Sequence, residues 1–78
     1  MKELVEYIAC SLVDNPADVN VQERRSGHRV HLELHVSKDD MGRVIGKGGR
    51  VANSTRILLR VAAAREGKQV DLEISEPR

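Results

Sequence analysis

Met41-Gly42-Arg43-Val44-Ile45-Gly46-Lys47-Gly48-Gly49-Arg50-Val51 is the stretch on which the reading of this chain turns. Met41, Val44 and Ile45 carry the apolar spacing of a short helix, and Gly46 stops it. Four residues then turn the chain, and a long helical pattern starts at Arg50. Glycine has no Cβ, so a turn built from it adopts unusual dihedrals and lets a ligand come close to the backbone. The start of the second helix adds unpaired N–H groups and the positive end of a dipole, which favour an anion. Lys47 sits in the middle of the turn, and Arg43 and Arg50 flank it within reach of neighbouring phosphates. This combination suits a sugar–phosphate backbone.

Other glycine motifs fit poorly. A nucleotide P-loop places four residues between its first two glycines and follows Gly-Lys with Ser or Thr. Here three residues separate Gly42 from Gly46, and Gly48 stands where the magnesium-binding hydroxyl belongs. The dinucleotide fingerprint requires a third glycine at position 51, which is Val51, and a preceding strand instead of a helix. A purely structural helix-turn-helix linker stays open on the four-residue pattern alone, whereas one of the DNA-binding kind usually needs one turn glycine, not three, and a recognition helix with polar base readers.

Outward from the turn, Arg50 to Glu66 reads as a long helix closed by Gly67. Val70 to Ser75 follows as a strand with Val70, Leu72 and Ile74 inward. Upstream, Arg29 to Val36 alternates, with Val30, Leu32, Leu34 and Val36 on one face and His31, Glu33 and His35 on the other; period two marks a half-buried strand. A turn at Ser26-Gly27 joins it to a first strand, Val19 to Arg25. Lys2 to Val13 spaces Leu4, Val5, Ile8 and Leu12 as a helix, ended by Asp14-Asn15-Pro16. Ser37 and Asp40 form a capping-box-like pair ahead of the short helix. The order αββααβ predicts an α+β domain in two layers, a three-stranded sheet with three helices packed on one face. The other face is acidic and lacks aromatics, a poor platform for stacked bases.

The 78 residues fit one domain, spanning residues 1–78, with a core of Val, Leu, Ile and Ala, since Tyr7 is the only aromatic. A net charge of +1 hides a polar distribution. No acid lies between Asp40 and Glu66, where Arg43, Lys47, Arg50, Arg56, Arg60 and Arg65 collect. Such a local field attracts polyanions. Cys10 is alone and forms no internal disulfide. The absence of a long apolar run and of a signal-peptide core leads to an expectation of no membrane association and a cytoplasmic protein.

Chemistry beyond binding finds no support, so no catalytic residue, cofactor or small-molecule substrate is expected. His31 and His35 share a strand face but lie about 13 Å apart, and a zinc site needs three or four ligands. No metal is therefore expected. On the long helix, Val51, Thr55, Leu58, Leu59 and Ala62 form a stripe suited to the sheet, with Arg56 and Arg60 on the polar face. Ile57 and Val61 lie to the side of the stripe, and Ala62, Ala63 and Ala64 admit a close helix. This arc is either a wide core stripe or a surface for a second copy, the preferred reading, with Ile57, Val61 and Ala64 at a two-fold interface.

Val44-Ile45-Gly46-Lys47-Gly48-Gly49 between a short and a long helix resembles the VIGxxG signature of KH domains, and αββααβ matches their type II arrangement. Nearly the whole chain is similar to the KhpA family of small bacterial single-KH proteins. Gly48 is a departure, standing where relatives often carry glutamine, and it makes the turn more flexible. The resemblance implies a cleft between the short helix, the turn and the edge strand, holding single-stranded RNA of about four nucleotides. By position it implies backbone contact at Gly46, Lys47, Gly48 and Gly49, phosphate support from Arg43 and Arg50, and an apolar floor of Val44, Ile45 and Val51. It further implies a homodimer or a complex with a KhpB-type KH protein, an RNA-chaperone or post-transcriptional role, and links to cell-wall homeostasis and cell shape. The alternative is a protein-interaction module with weak or no nucleic-acid binding.

Overall fold

The alternation around Leu32 places β2 (Arg29–His35) at the centre of a sheet, between β1 (Asn20–Ser26) and β3 (Gln69–Ser75). The computed structural model describes residues 1–76. β1 and β2 pair antiparallel from Asn20↔His35 to Ser26↔Arg29, so Gly27 and His28 alone make the hairpin turn, with Gly27 at φ 60°. β3 runs parallel to β2, with Leu32 beside Leu72 and Glu33 beside Glu73. A parallel return needs a long crossover. Here α2 (Met41–Ile45), the glycine turn and α3 (Arg50–Arg65) supply it. With α1 (Lys2–Leu12) at the start, the order is αββααβ, and the fold is the expected α+β arrangement.

All three helices bury side chains against one face of the sheet. Val30, Leu32, Leu34 and Val36 meet Val5 and Ala9 of α1, Val44 of α2 and Leu59 of α3 in a common core. Leu32, Leu59, Val30 and Val36 are each 0% exposed. Burying a side chain of this size stabilises by about 1.5–3 kcal/mol, which is how a chain without Phe or Trp holds together.

Two local expectations are corrected. Leu58, placed on the core stripe by its spacing, is 54% exposed; α3 instead buries Ala52, Thr55, Leu59 and Ala63. The helix lies on small residues, and Thr55 enters the core because its hydroxyl donates to the Val51 carbonyl at 2.9 Å. Ser37 and Asp40 form no capping box, since Ser37 makes no side-chain cap bond. The Ser37 hydroxyl donates instead to Asp40 Oδ2 at 3.2 Å.

Asp40 is the buried polar hinge of the fold, at 1% exposure. Its Oδ1 accepts from the Asp14 N–H, and its Oδ2 from the N–H and the side-chain amide of Asn15, each at 3.1 Å. These bonds tie the chain leaving α1 to the chain entering α2. Burial works to raise the Asp40 pKa, but the bonds from Asp14, Asn15 and Ser37 outweigh it and hold the carboxyl below its ordinary value.

Candidate nucleic-acid interface

At the exit of α2, position 46 is stereochemically reserved for glycine. The Gly46 N–H closes α2 on the Gly42 carbonyl at 2.9 Å, with Gly46 at φ 76°, ψ 170°. A Cβ built there would lie 2.5 Å from Val51 Cγ2 and 2.9 Å from the Val51 backbone nitrogen. The first turn of α3 thus folds directly onto the glycine, which leaves no room for a side chain. Gly48 and Gly49 follow at φ 65° and 78°, while every non-glycine residue described keeps a negative φ. Lys47–Gly49 is one 3-10 turn, closed by the Gly49 N–H on the Gly46 carbonyl at 3.1 Å.

This turn is open to solvent. Lys47, Gly48 and Arg50 are exposed, and Gly46 and Gly49 are half-buried. Gly49 precedes α3 without a side chain to cap it, which leaves the positive end of a 16-residue helix facing outward beside Lys47 and Arg50. Among the described residues neither cation has an ion-pair partner. The site therefore offers bare backbone, two free positive side chains and a helix dipole to an anionic strand.

Arg43 is placed differently from its neighbours. Its guanidinium pairs with Asp14 Oδ2 at 2.8 Å and lies 3.6 Å from Asp40 Oδ1, so it braces the α1–α2 junction beside the turn. The apolar residues also divide. Val44 is 4% exposed and belongs to the core, backing the turn from beneath. Ile45 and Val51 are half-buried and reach the surface.

A furrow that sequence reading did not single out adjoins the turn. An apolar groove of about 490 Å³ meets the turn at Arg50 and Val51 and continues between α3 and α1 past Ser54, Leu58, Tyr7 and Leu12. Its far wall is α1. Tyr7, 73% exposed, presents its ring there. Helical periodicity assigns faces within α1 and α3, but not which helix lies opposite, so Tyr7 carried no site signal. Along the other flank of α3, Arg56 Nε and Nη2 both donate to the Leu72 carbonyl at 3.3 Å. That covers one carbonyl of the β3 edge and lines a smaller furrow with Arg60 and Asp71. Ile57, Val61 and Ala64 are exposed on α3, next to Leu58.

Comparison with known proteins places this geometry. The model of the KhpA/KhpB KH domain matches residues 2–74. The RNA-binding protein KhpA of Clostridium perfringens is 54% identical over 74 residues, covering 95% of this chain and 99% of its own. The RNA-binding protein KhpA of Halalkalibacterium halodurans is 51% identical, with 95% and 97% covered. The KhpA of Chlamydia pneumoniae aligns over all 78 residues at 42% identity. Among solved structures, Era of Aquifex aeolicus matches 96% of this chain with a TM-score of 0.65 at 20% identity. A structure of Era in complex with MgGDPNP and nucleotides 1506–1542 of 16S ribosomal RNA gives 0.55, also at 20% identity. The chain spans 29% of each Era chain, and the likeness is one of fold.

Proposed function

This chain belongs to the KhpA/KhpB KH-domain family, and on that premise we propose that it binds single-stranded RNA at the Gly46–Gly49 turn. The observation that carries the reading is the open glycine backbone flanked by the exposed Lys47 and Arg50, neither ion-paired among the described residues, at the head of α3. RNA phosphates seat along Gly46, Lys47, Gly48 and Gly49, with Arg50 neutralising the next phosphate and Ile45 and Val51 supplying apolar contact. About four nucleotides fill such a clamp. Arg43 acts from behind, holding α2 in place through Asp14 and Asp40. Val44 acts as packing.

The working unit in this reading is a pair. Ile57 and Val61 are more than half exposed beside Leu58, an apolar strip that a monomer has reason to cover. A second copy, or a KhpB-type KH protein, packs there with Ala64 at close approach, and two linked RNA sites gain avidity. An RNA-chaperone or post-transcriptional role in the cytoplasm, with consequences for cell-wall homeostasis and cell shape, extends the reading on family grounds.

Lys47→Asp with Gly48→Asp tests it. Gly48 has open space for a side chain, and its left-handed conformation is one that Asp tolerates. The double variant should fold with an unchanged far-ultraviolet spectrum and lose retention of a single-stranded RNA oligonucleotide in filter binding. Wild-type affinity should fall linearly on a log–log plot against salt, as phosphate contacts release counterions. Undiminished retention by the folded variant would remove the turn from the mechanism and leave the protein-interaction reading in its place.

A further inference from the structure

The open face of the sheet, opposite the helices, carries a cluster that RNA binding leaves unused. Parallel register sets Glu33 directly beside Glu73, and both side chains leave the sheet on this face with His31 and His35. Two carboxylates side by side on neighbouring strands repel each other. A single imidazole nitrogen lies next to both: His31 Nε2 is 3.5 Å from Glu33 Oε1 and 3.6 Å from Glu73 Oε2. Ligand atoms of all three residues fall within 4.8 Å of one another. A tetrahedral ion with bonds of about 2.0–2.1 Å holds its ligand atoms about 3.4 Å apart, close to the two shorter spacings.

We propose that His31, Glu33 and Glu73 form a binding site for a divalent first-row transition cation of the zinc type, with water completing the coordination. The imidazole selects against magnesium and calcium, which take oxygen ligands. Glu33 is oriented in advance. Its Oε2 lies 3.5 Å from His35 Nε2, and the other ring nitrogen of His35 lies 3.0 Å from Ser75 Oγ. Such a chain holds the carboxylate in the rotation that leaves Oε1 for the ion. Two arginines stand close. Arg29 is held by Asp71 at 3.7 Å, while Arg24 lies 3.9 Å from Glu33 Oε1 on a 72% exposed side chain that is free to swing off. The ion joins β2 to β3 across forty residues of sequence, so its binding stabilises the sheet.

Titration calorimetry of the metal-free full chain with zinc tests the site, alongside His31→Gln and Glu73→Gln. Both residues lie on the solvent side of the sheet, and Gln preserves their size. The expected result is one ion per chain, a zinc-dependent rise in the thermal midpoint, and a loss of about tenfold or more in affinity in each variant. His28→Gln, in the hairpin turn, should bind as wild type, as should the Lys47→Asp, Gly48→Asp protein, which separates this site from the RNA turn. Absent or non-saturable binding, or equal affinity in the folded His31 and Glu73 variants, would overturn the assignment. So would loss of binding on replacing His28.

Discussion

Replacing Gly46 by alanine should be among the most damaging single-methyl changes available to this protein. The added Cβ would sit 2.5 Å from Val51 Cγ2, 2.9 Å from Val51 Cβ and 2.9 Å from the Val51 nitrogen. A side-chain rotation at Val51 relieves the first contact but not the last, because that nitrogen belongs to the first turn of α3. Overpacking of this kind costs about 1–3 kcal/mol. The dihedrals φ 76°, ψ 170° lie in a region essentially confined to glycine, at a further cost of about 1–3 kcal/mol. If the two add, the loss is about 2–6 kcal/mol, against a total stability of about 5–15 kcal/mol for ordinary domains. Each kcal/mol moves the midpoint by about 4–8 °C in a domain of this size, so unfolding should begin at least about 8 °C earlier. Two neighbours serve as controls. Gly48→Ala meets nothing within 4 Å and carries only the left-handed penalty of about 1–2 kcal/mol. Gly42→Ala lies within α2 with open space around it and should be neutral or stabilising by about 0.5–1 kcal/mol. Urea unfolding with a common slope would rank the three. A Gly46→Ala protein with the wild-type midpoint, or one more stable than Gly48→Ala, would refute the packing of Val51 beneath the turn.

Asp40 predicts the acid behaviour of the fold. Its folded pKa lies below the ordinary 3.8, so its stabilising contribution is fully present above that value and is lost as pH falls through the folded pKa. Thermal midpoints measured from about pH 6 down to about pH 2 should drop more steeply in the wild type than in Asp40→Asn, which starts lower; parallel curves would count against Asp40 as the hinge. At the apolar strip, Ile57→Glu with Val61→Glu should convert a species of twice the chain mass into a monomer by sedimentation equilibrium, without loss of helix. A wild-type protein already monomeric at high concentration would dispose of the pairing.

Much of this protein is legible one element at a time. β2 shows its buried face because period-two alternation is a property of the strand itself, and Val30, Leu32, Leu34 and Val36 are all in the core. The glycine turn is equally local, since Gly46, Gly48 and Gly49 must supply the positive φ values that other residues avoid. Apolar periodicity, punctuated by the glycine and proline breaks, then reads the αββααβ order correctly. Leu58 shows where such reading ends. Its heptad-like spacing from Val51 marks an apolar stripe, but the face that α3 buries runs through Ala52, Thr55, Leu59 and Ala63 and leaves Leu58 outside.

What the sequence by itself determined, then, is the kind of each element and the chemistry of the turn, because both follow from residues within a few positions of one another. Only the tertiary structure decided what each side chain faces across the chain. Arg43 found Asp14 and Asp40, Tyr7 came to border the groove leading from Arg50, and Glu73 arrived beside Glu33 and His31. Those partners lie as many as some forty residues away, and their meeting is fixed by strand register and helix placement. Register is chosen by the whole apolar face being buried at once, a cooperative sum over the core that no short window of residues contains.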